Sequence, residues 1–392
     1  MPKTGLGHCH LISLNRTLKT KSIYIIGGGP AGSATAVSLA NRVKGKHQTL
    51  QITQVCGPDE TGIAIGETIP PAATEYLQKL GLEELLKDDH HLYCPGSMSI
   101  WGKGEVGFND FFITPVGKGY HLDRSVFNTS LRKAAESRKV EMMFNTKLLG
   151  IEEATDDQWQ LKLETTEGTI YKKADFVVDA TGIQARVART IGVARNQYDS
   201  VISACAIYKL NTKPKKAAHT LVSTVKNGWW YGTQLPNNLA LISFCTDAQT
   251  LKQLKAGESE NWYKLLLDSG WFYQSCCDQF EADLMQPDSI DLRVAPSAIL
   301  SCVVGNNWLA VGDAASSYDS MTSAGITKAL QQGLAAGIAI SQLFCDNNEI
   351  GLKQYQKDIF STFNEYLRLH QTLYHSEQRY SDSAFWQRRQ LK

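Results

Sequence analysis

The sequence predicts an α/β fold: a βαβ core on a parallel sheet, an inserted and mostly antiparallel β-sheet, and C-terminal helices. Three observations predict it. Residues 22–26 form a short apolar run, followed at once by Gly27-Gly28-Gly29-Pro30-Ala31-Gly32 and an Ala-, Leu- and Val-rich helical stretch over 33–43. Two more apolar runs, 176–180 and 308–312, end in Thr181-Gly182 and Gly312-Asp313, as buried parallel strands do. Between them, from Val201 to Asp247, β-like runs alternate with turn residues such as Pro236-Asn237-Asn238.

The chain has 392 residues, 43% hydrophobic and 20% charged, which is enough to enclose a cofactor. Forty basic and 39 acidic residues leave a formal net charge of +1, which argues against nucleic acid as a partner. No apolar run approaches the ~20 residues needed to cross a bilayer, so no membrane partner is expected. The nine cysteines are odd in number, irregularly spaced and without a CxxC, and read as reduced thiols of a cytoplasmic protein. No metal site is expected; His8-Cys9-His10 falls in the basic, acid-free stretch 1–21, which is transit-peptide-like in composition but reads as a tail.

Taken in order, residues 50–56 form the second strand of the βαβ unit and 74–86 an amphipathic helix. Runs 98–102 and 107–115 are strands, and 124–138 is a helix with Val126, Phe127, Leu131 and Ala134 on one side. Strands follow at 142–150, 159–164 and 169–173, with Gly168 marking a hairpin. The inserted sheet takes 203–208, 221–225, 229–234 and 239–244. Residues 259–269 are helical, 325–344 form an Ala- and Gly-rich helix, and 352–389 read as a C-terminal helix. The expected division is a tail (1–21), three cofactor-domain parts (22–90, 121–200, 296–345), substrate-domain segments (91–120 and 201–295) and a helical end (346–392).

The first glycine motif is mechanical. Gly27 allows the tight turn, Gly29 lets the backbone approach a pyrophosphate, and Gly32 lets helix and strand pack closely, while the helix N-terminus faces the anion. A Rossmann-like unit usually carries Asp or Glu about 20 residues on, for the ribose hydroxyls. Here Gln54 or Cys56 occupies that place and Asp59 and Glu60 come late, so loose binding of the dinucleotide is expected.

The order of the three motifs resembles the FAD-binding fold of p-hydroxybenzoate-hydroxylase-type monooxygenases and flavin-dependent halogenases, over nearly the whole chain. The resemblance implies a cofactor-binding set of Gly27, Gly29, Ala31, Gly32 and Ser33 at the pyrophosphate, Gly312 and Asp313 at the ribitol, and Gly325 and Ile326 at the flavin ring. His121-Leu122-Asp123-Arg124 resembles the start of the helix whose Arg contacts FAD, and Gly66-Glu67-Thr68-Ile69-Pro70-Pro71 resembles the halogenase-like segment beside the ring. Glu67 either assists deprotonation there or makes a structural hydrogen bond. His121 reads as a packed or capping residue rather than a base.

Departures choose the branch. Trp229-Trp230-Tyr231-Gly232-Thr233-Gln234-Leu235-Pro236 does not match the Trp-x-Trp-x-Ile-Pro motif of tryptophan halogenases. No Lys precedes Trp101 in the stretch from Tyr93, and Thr322 stands where those enzymes carry Glu. What remains is similar to the flavoproteins that help build cysteine tryptophylquinone in bacterial amino-acid oxidases such as glycine or lysine oxidase. That similarity implies an FAD-dependent, monooxygenase-type oxidoreductase that uses O2 to hydroxylate a Trp side chain of a partner, the precursor of a quinone-cofactor oxidase. NAD(P)H or a separate reductase would supply electrons. Trp101, Trp229, Trp230 and Tyr231 either line an apolar path to the flavin or pack the sheet core. The rival readings are a halogenase or small-molecule aromatic hydroxylase, and a chaperone-like flavoprotein that binds the precursor.

Overall fold

A computed structural model describes residues 20–45, 50–58, 68–87, 89–111, 117–154, 157–211 and 217–390. The strand Lys21–Ile26 pairs in parallel with Leu50–Val55 on one side and with Phe176–Asp179 on the other. Trp308–Ala310 and Glu141–Met143 extend this sheet at its two sides, again in parallel. Its strands are short and buried, so they read as continuous apolar runs rather than alternating ones.

The helix Pro30–Val43 starts at the glycine turn with Pro in its first turn, where a missing N–H costs nothing. It is buried on nearly every side because the sheet lies under it and the helix Gly325–Asp346 crosses over it. Glycines make that crossing close: a Cβ at Gly333 would lie 2.6 Å from Ala34 Cβ, and one at Gly337 2.5 Å from Ser38 Cβ. Ser38 Oγ also donates across the crossing to the Leu334 carbonyl at 2.8 Å. The Ala and Gly content of the long helix therefore reflects close helix packing.

The second large sheet has eight strands. In order they are Ser316–Ser317, Asp291–Leu300, Arg195–Lys209, Leu239–Thr246, Gly228–Leu235, Thr220–Val225, Gly96–Ile100 and Gly107–Asp110. It is antiparallel except where Thr220–Val225 meets Gly96–Ile100. One face is covered by the helices Ala248–Leu254, Ser259–Leu267 and Trp271–Phe280, and the other turns toward the glycine turn. Of those helices, the sequence pattern predicts only the middle one.

Several expected boundaries move, each for a local reason. The helix expected over 74–86 ends at Leu80, because Gly81 takes φ +68, and a separate short turn covers Glu83–Leu86. The strand expected over 142–150 is two strands, Glu141–Met143 and Lys147–Glu153, which belong to different sheets and are separated by Asn145 at φ +50. The C-terminal helix stops at Ser376, where Glu377 turns extended. Its buried carboxylate accepts from Gly102 N at 3.1 Å and Thr224 Oγ1 at 2.5 Å, so the break ties the helix end to the large sheet. Arg389 then closes the C-terminus with two hydrogen bonds to Asp199, at 2.8 and 3.0 Å, and one to Asp247 at 3.1 Å. No described helix is long and apolar enough to cross a membrane.

Candidate active site

The parallel sheet and the eight-stranded sheet enclose a cavity of about 950 Å³. Its walls include Gly27, Gly29 and Ala31 at the glycine turn, Arg124, Asn128 and Arg132 on the helix Arg124–Glu136, and Asp313 and Ser323–Ile326 at the start of the long helix. The eight-stranded sheet adds Ser203, Tyr231, Ser243, Cys245 and Arg293.

Local geometry explains the glycines. A Cβ on Gly27, at φ +135, would lie 2.1 Å from the Ala180 carbonyl oxygen, and one on Gly32 would lie 2.2 Å from the Gly27 carbonyl oxygen. Gly27 lets the turn pass close to the neighbouring strand end at Ala180, and Gly32 lets the helix start close on the turn itself. Gly29 and Gly325 differ: a Cβ on either meets nothing within 4 Å, because both open onto the cavity. Each stands at the N-terminus of a helix that runs away from the cavity, where free N–H groups and the dipole favour an anion or an electron-rich ring edge. Asn128 Oδ1 is buried at the cavity wall without a hydrogen-bond partner among the described residues. Open backbone at two helix starts and an orphaned acceptor between the sheets fit an extended dinucleotide such as FAD.

Asp313 projects at the wall with Lys328 Nζ 2.7 Å from its Oδ1. Lys328 is buried, also donates to the Ser316 carbonyl, and sits 4.1 Å above the Tyr318 ring. Burial pulls its pKa down and Asp313 opposes that shift. The ion pair anchors the long helix to the Gly-Asp turn and presents the carboxylate to the cavity, where a ribitol hydroxyl would donate.

Other expected site residues lie elsewhere. Gly312 sits behind the wall, where a Cβ would be 2.6 Å from Ala31 Cβ. The Ser33 hydroxyl is buried and held by Gln54 Nε2 at 3.1 Å, so it faces the sheet rather than a ligand. Trp101, Trp229 and Trp230 do not line the cavity. Trp230 is fully buried against Phe244, Trp262 and Phe272 under the covering helices. Trp229 donates to Tyr374 Oη at 3.2 Å and packs with Trp101 against the C-terminal helices. Only Tyr231 of the four reaches the cavity. Cys56, just past the end of its strand, is buried, with its Sγ 2.8 Å from where a Cβ on Gly28 would lie; among the described residues 50–58 there is no carboxylate. Glu67, Asp59, Glu60 and His8-Cys9-His10 lie outside the described residues.

His121 is buried beside this wall. Burial pushes its pKa down to about 4, so the ring is neutral at neutral pH. Sequence reasoning also misses Asn128 and Arg132, although their spacing is visible: with Arg124 they stand four residues apart, on one helix face. Ser203, Ser243 and Cys245 have no comparable signal.

The two-sheet cleft, the glycine turn and the second helix start define a flavin-dependent oxidoreductase. The chain belongs to the tryptophan halogenase family, whose model matches residues 22–90 and 105–392. It is 26% identical to the putative FAD-dependent oxidoreductase LodB of Marinomonas mediterranea, over 95% of this chain and 97% of that one. Against tryptophan 2-halogenase of Chondromyces crocatus the identity is 21%, over 94% and 70%. Among solved structures, the myxobacterial halogenase CndH superposes with a TM-score of 0.82 at 20% identity, covering 94% of this chain and 86% of that one. The peptidyl tryptophan dihydroxylase QhpG, described as essential for tryptophylquinone cofactor biogenesis, superposes at 0.74 with 24% identity, over 94% and 78%.

Proposed function

We propose that this protein hydroxylates a Trp side chain in the precursor of a quinone-cofactor amino-acid oxidase, during formation of cysteine tryptophylquinone. Bound FAD supplies the redox chemistry and activates O2 toward an electron-rich ring. The chain's own residues bind the cofactor between two helix N-termini and hold its ribitol at Asp313. The observation that carries the reading is the wall built by the eight-stranded sheet. It presents Ser203, Tyr231, Ser243, Cys245 and Arg293 and no lysine among the described residues; the lysine that does line the cavity, Lys147, comes from the strand Lys147–Glu153 of another sheet. LodB, similar over nearly the full length, is described as a putative FAD-dependent oxidoreductase, and QhpG, a peptidyl tryptophan dihydroxylase, supports the reading that this fold serves hydroxylation of a peptidyl Trp as well as the halogenation of CndH. The absence of a carboxylate among the described residues 50–58 supports loose retention of FAD.

Gly29→Asp tests the reading. The position has φ −82 and open space around it, so the variant folds, but its carboxylate repels the pyrophosphate. The precursor is expressed with wild type, with the variant and alone, and its mass is measured. Oxygen added to the Trp only with wild type is the expected result. Equal quinone with the variant would make the protein a chaperone, and a chlorinated product would make it a halogenase.

A further inference from the structure

The eight-stranded sheet has one edge that the fold leaves half open. The short strand Ser316–Ser317 pairs only with Ala298 and Ile299 of the strand Asp291–Leu300. On the same outer side, Leu300 N–H donates to the Ala315 carbonyl at 3.0 Å. Backbone groups alternate sides along a strand, so those of Ala298, Pro296, Val294 and Leu292 also point outward, away from the inner neighbour Arg195–Lys209. The outer pairing ends at Pro296. Unbroken register would set Asp319 opposite it, but Pro296 has no N–H to give. Its carbonyl accepts from Ser317 Oγ at 2.5 Å, while Asp319 N–H donates to Tyr366 Oη at 2.8 Å and the chain turns away. Among the described residues, no strand pairs with Leu292 and Val294 on the outer side. Both side chains are apolar, and they are 46% and 50% exposed. Arg293, between them, is ion-paired with Asp291 at 2.7 Å. Such an edge is a template for another strand.

The edge also borders the cavity. Leu292 lies opposite Ala204, on the helix-covered face, whereas Arg293 and Ala295 line the cavity. A strand laid along this edge therefore sends every second side chain into the cavity mouth. Directly opposed residues stand about 5 Å apart, so a large ring opposite Ala295 enters past a single methyl group.

We propose that the open edge at Leu292–Val294 docks the substrate as an extended polypeptide. The segment adds an antiparallel strand, as both existing neighbours of Asp291–Leu300 do. Its Trp stands opposite Ala295, and apolar residues one and three positions after the Trp cover Val294 and Leu292. The proposal rests on the reading of a peptidyl Trp substrate and adds how that polypeptide is held.

The probe is the peptide acetyl-Thr-Lys-Trp-Val-Thr-Val-Lys-amide, fluorescently labelled and titrated into the full-length protein by anisotropy. N-methylation of the Val that follows the Trp removes the N–H aimed at the Val294 carbonyl, and should weaken binding about three- to tenfold. N-methylation of the next residue, the Thr, removes an N–H that points away from the edge and should change nothing. Val294→Pro deletes the outward N–H and keeps the bonds to Arg195–Lys209, so it should weaken the unmodified peptide similarly and leave FAD affinity and binding of free indole unchanged. If Val294→Pro does not fold, the two methylated peptides on wild type decide alone. Failure of wild type to bind the peptide, or equal weakening by both methylations, would overturn the proposal. So would a wild-type dimer that Val294→Pro dissociates, which would give the edge to a second copy of this chain. Directional peptide binding, with no oxygen added to the precursor by wild type, would defeat the hydroxylation reading and leave the edge as a polypeptide site. A precursor hydroxylated equally by wild type and Val294→Pro would defeat the edge and leave hydroxylation standing.

Discussion

Trp230 and Tyr231 are neighbours on one strand, and their fates are opposite. Trp230 points to the helix-covered face, stacked on Phe272 with ring centroids 5.7 Å apart and crossed by Trp262 at 5.1 Å. Tyr231 points to the face that walls the cavity, where its cross-strand partner is Ser243 rather than another large side chain. The same alternation runs along the partner strand: Phe244 and Ile242 lie in the apolar cluster under the helices, while Ser243 and Cys245 face the cavity. One face of the sheet is filled against its covering helices; on the other, small side chains border the cavity beside Tyr231, while Trp229 on that same face packs against the C-terminal helices. Bulk alone therefore says little about which aromatic residue meets a substrate.

Truncation should separate the faces most clearly. Trp230→Ala is expected to cost about 3–5 kcal/mol in chemical denaturation, the range for a large aromatic removed from a packed core. Tyr231→Phe, which keeps the ring, should cost less than about 1.5 kcal/mol. Equal losses would mean that the two faces are packed alike.

A pH series probes the wall behind Tyr231. His121 is depressed to about 4 by burial, whereas an unfolded histidine titrates near the usual ~6.5. The unfolded chain therefore takes up a proton as pH falls below that value and the folded chain does not. Stability from this group is complete above ~6.5 and declines toward pH 4, by at most about 3 kcal/mol. His121→Gln keeps a donor for Ala218 and an acceptor for Thr68, and should flatten that decline. Denaturation midpoints of both proteins across this window measure it, and parallel curves would deny the histidine its role.

The smallest stability effect is expected at the opening of the cavity. Gly29→Asp should leave the denaturation midpoint of the cofactor-free protein unchanged, because a Cβ there meets nothing within 4 Å. FAD affinity, read by fluorescence quenching, should fall by more than about tenfold as the carboxylate meets the pyrophosphate. A large loss of stability would show that Gly29, like Gly27, is there for packing.

The local motifs are legible because their physics is local. Gly27, Gly29 and Gly32 sit within six residues, so their spacing is readable, although the Ala180 carbonyl that Gly27 accommodates comes from a strand far along the chain. The long helix announces itself by its Ala and Gly content, although only the crossing with Pro30–Val43 explains it. Arg124, Asn128 and Arg132 are readable as a helix face, but only the first belongs to a motif that the family resemblance singles out.

By itself, the sequence determined the βαβ core, the glycine turn, the Gly-Asp turn and the two helix starts that border the cavity, since each is set by neighbours a few positions apart. It could not orient the strand Gly228–Leu235. Both faces of that strand are buried, so the hydrophobic alternation that normally reports the solvent side is lost at Trp229 and Trp230, each at 0% exposure. The surroundings of Tyr231 were also a tertiary decision. Its hydroxyl lies 2.9 Å from Thr68 Oγ1, 163 positions away, and Thr68 in turn reaches His121, 53 positions away; hydrogen bonds over such separations exist only once the chain has folded.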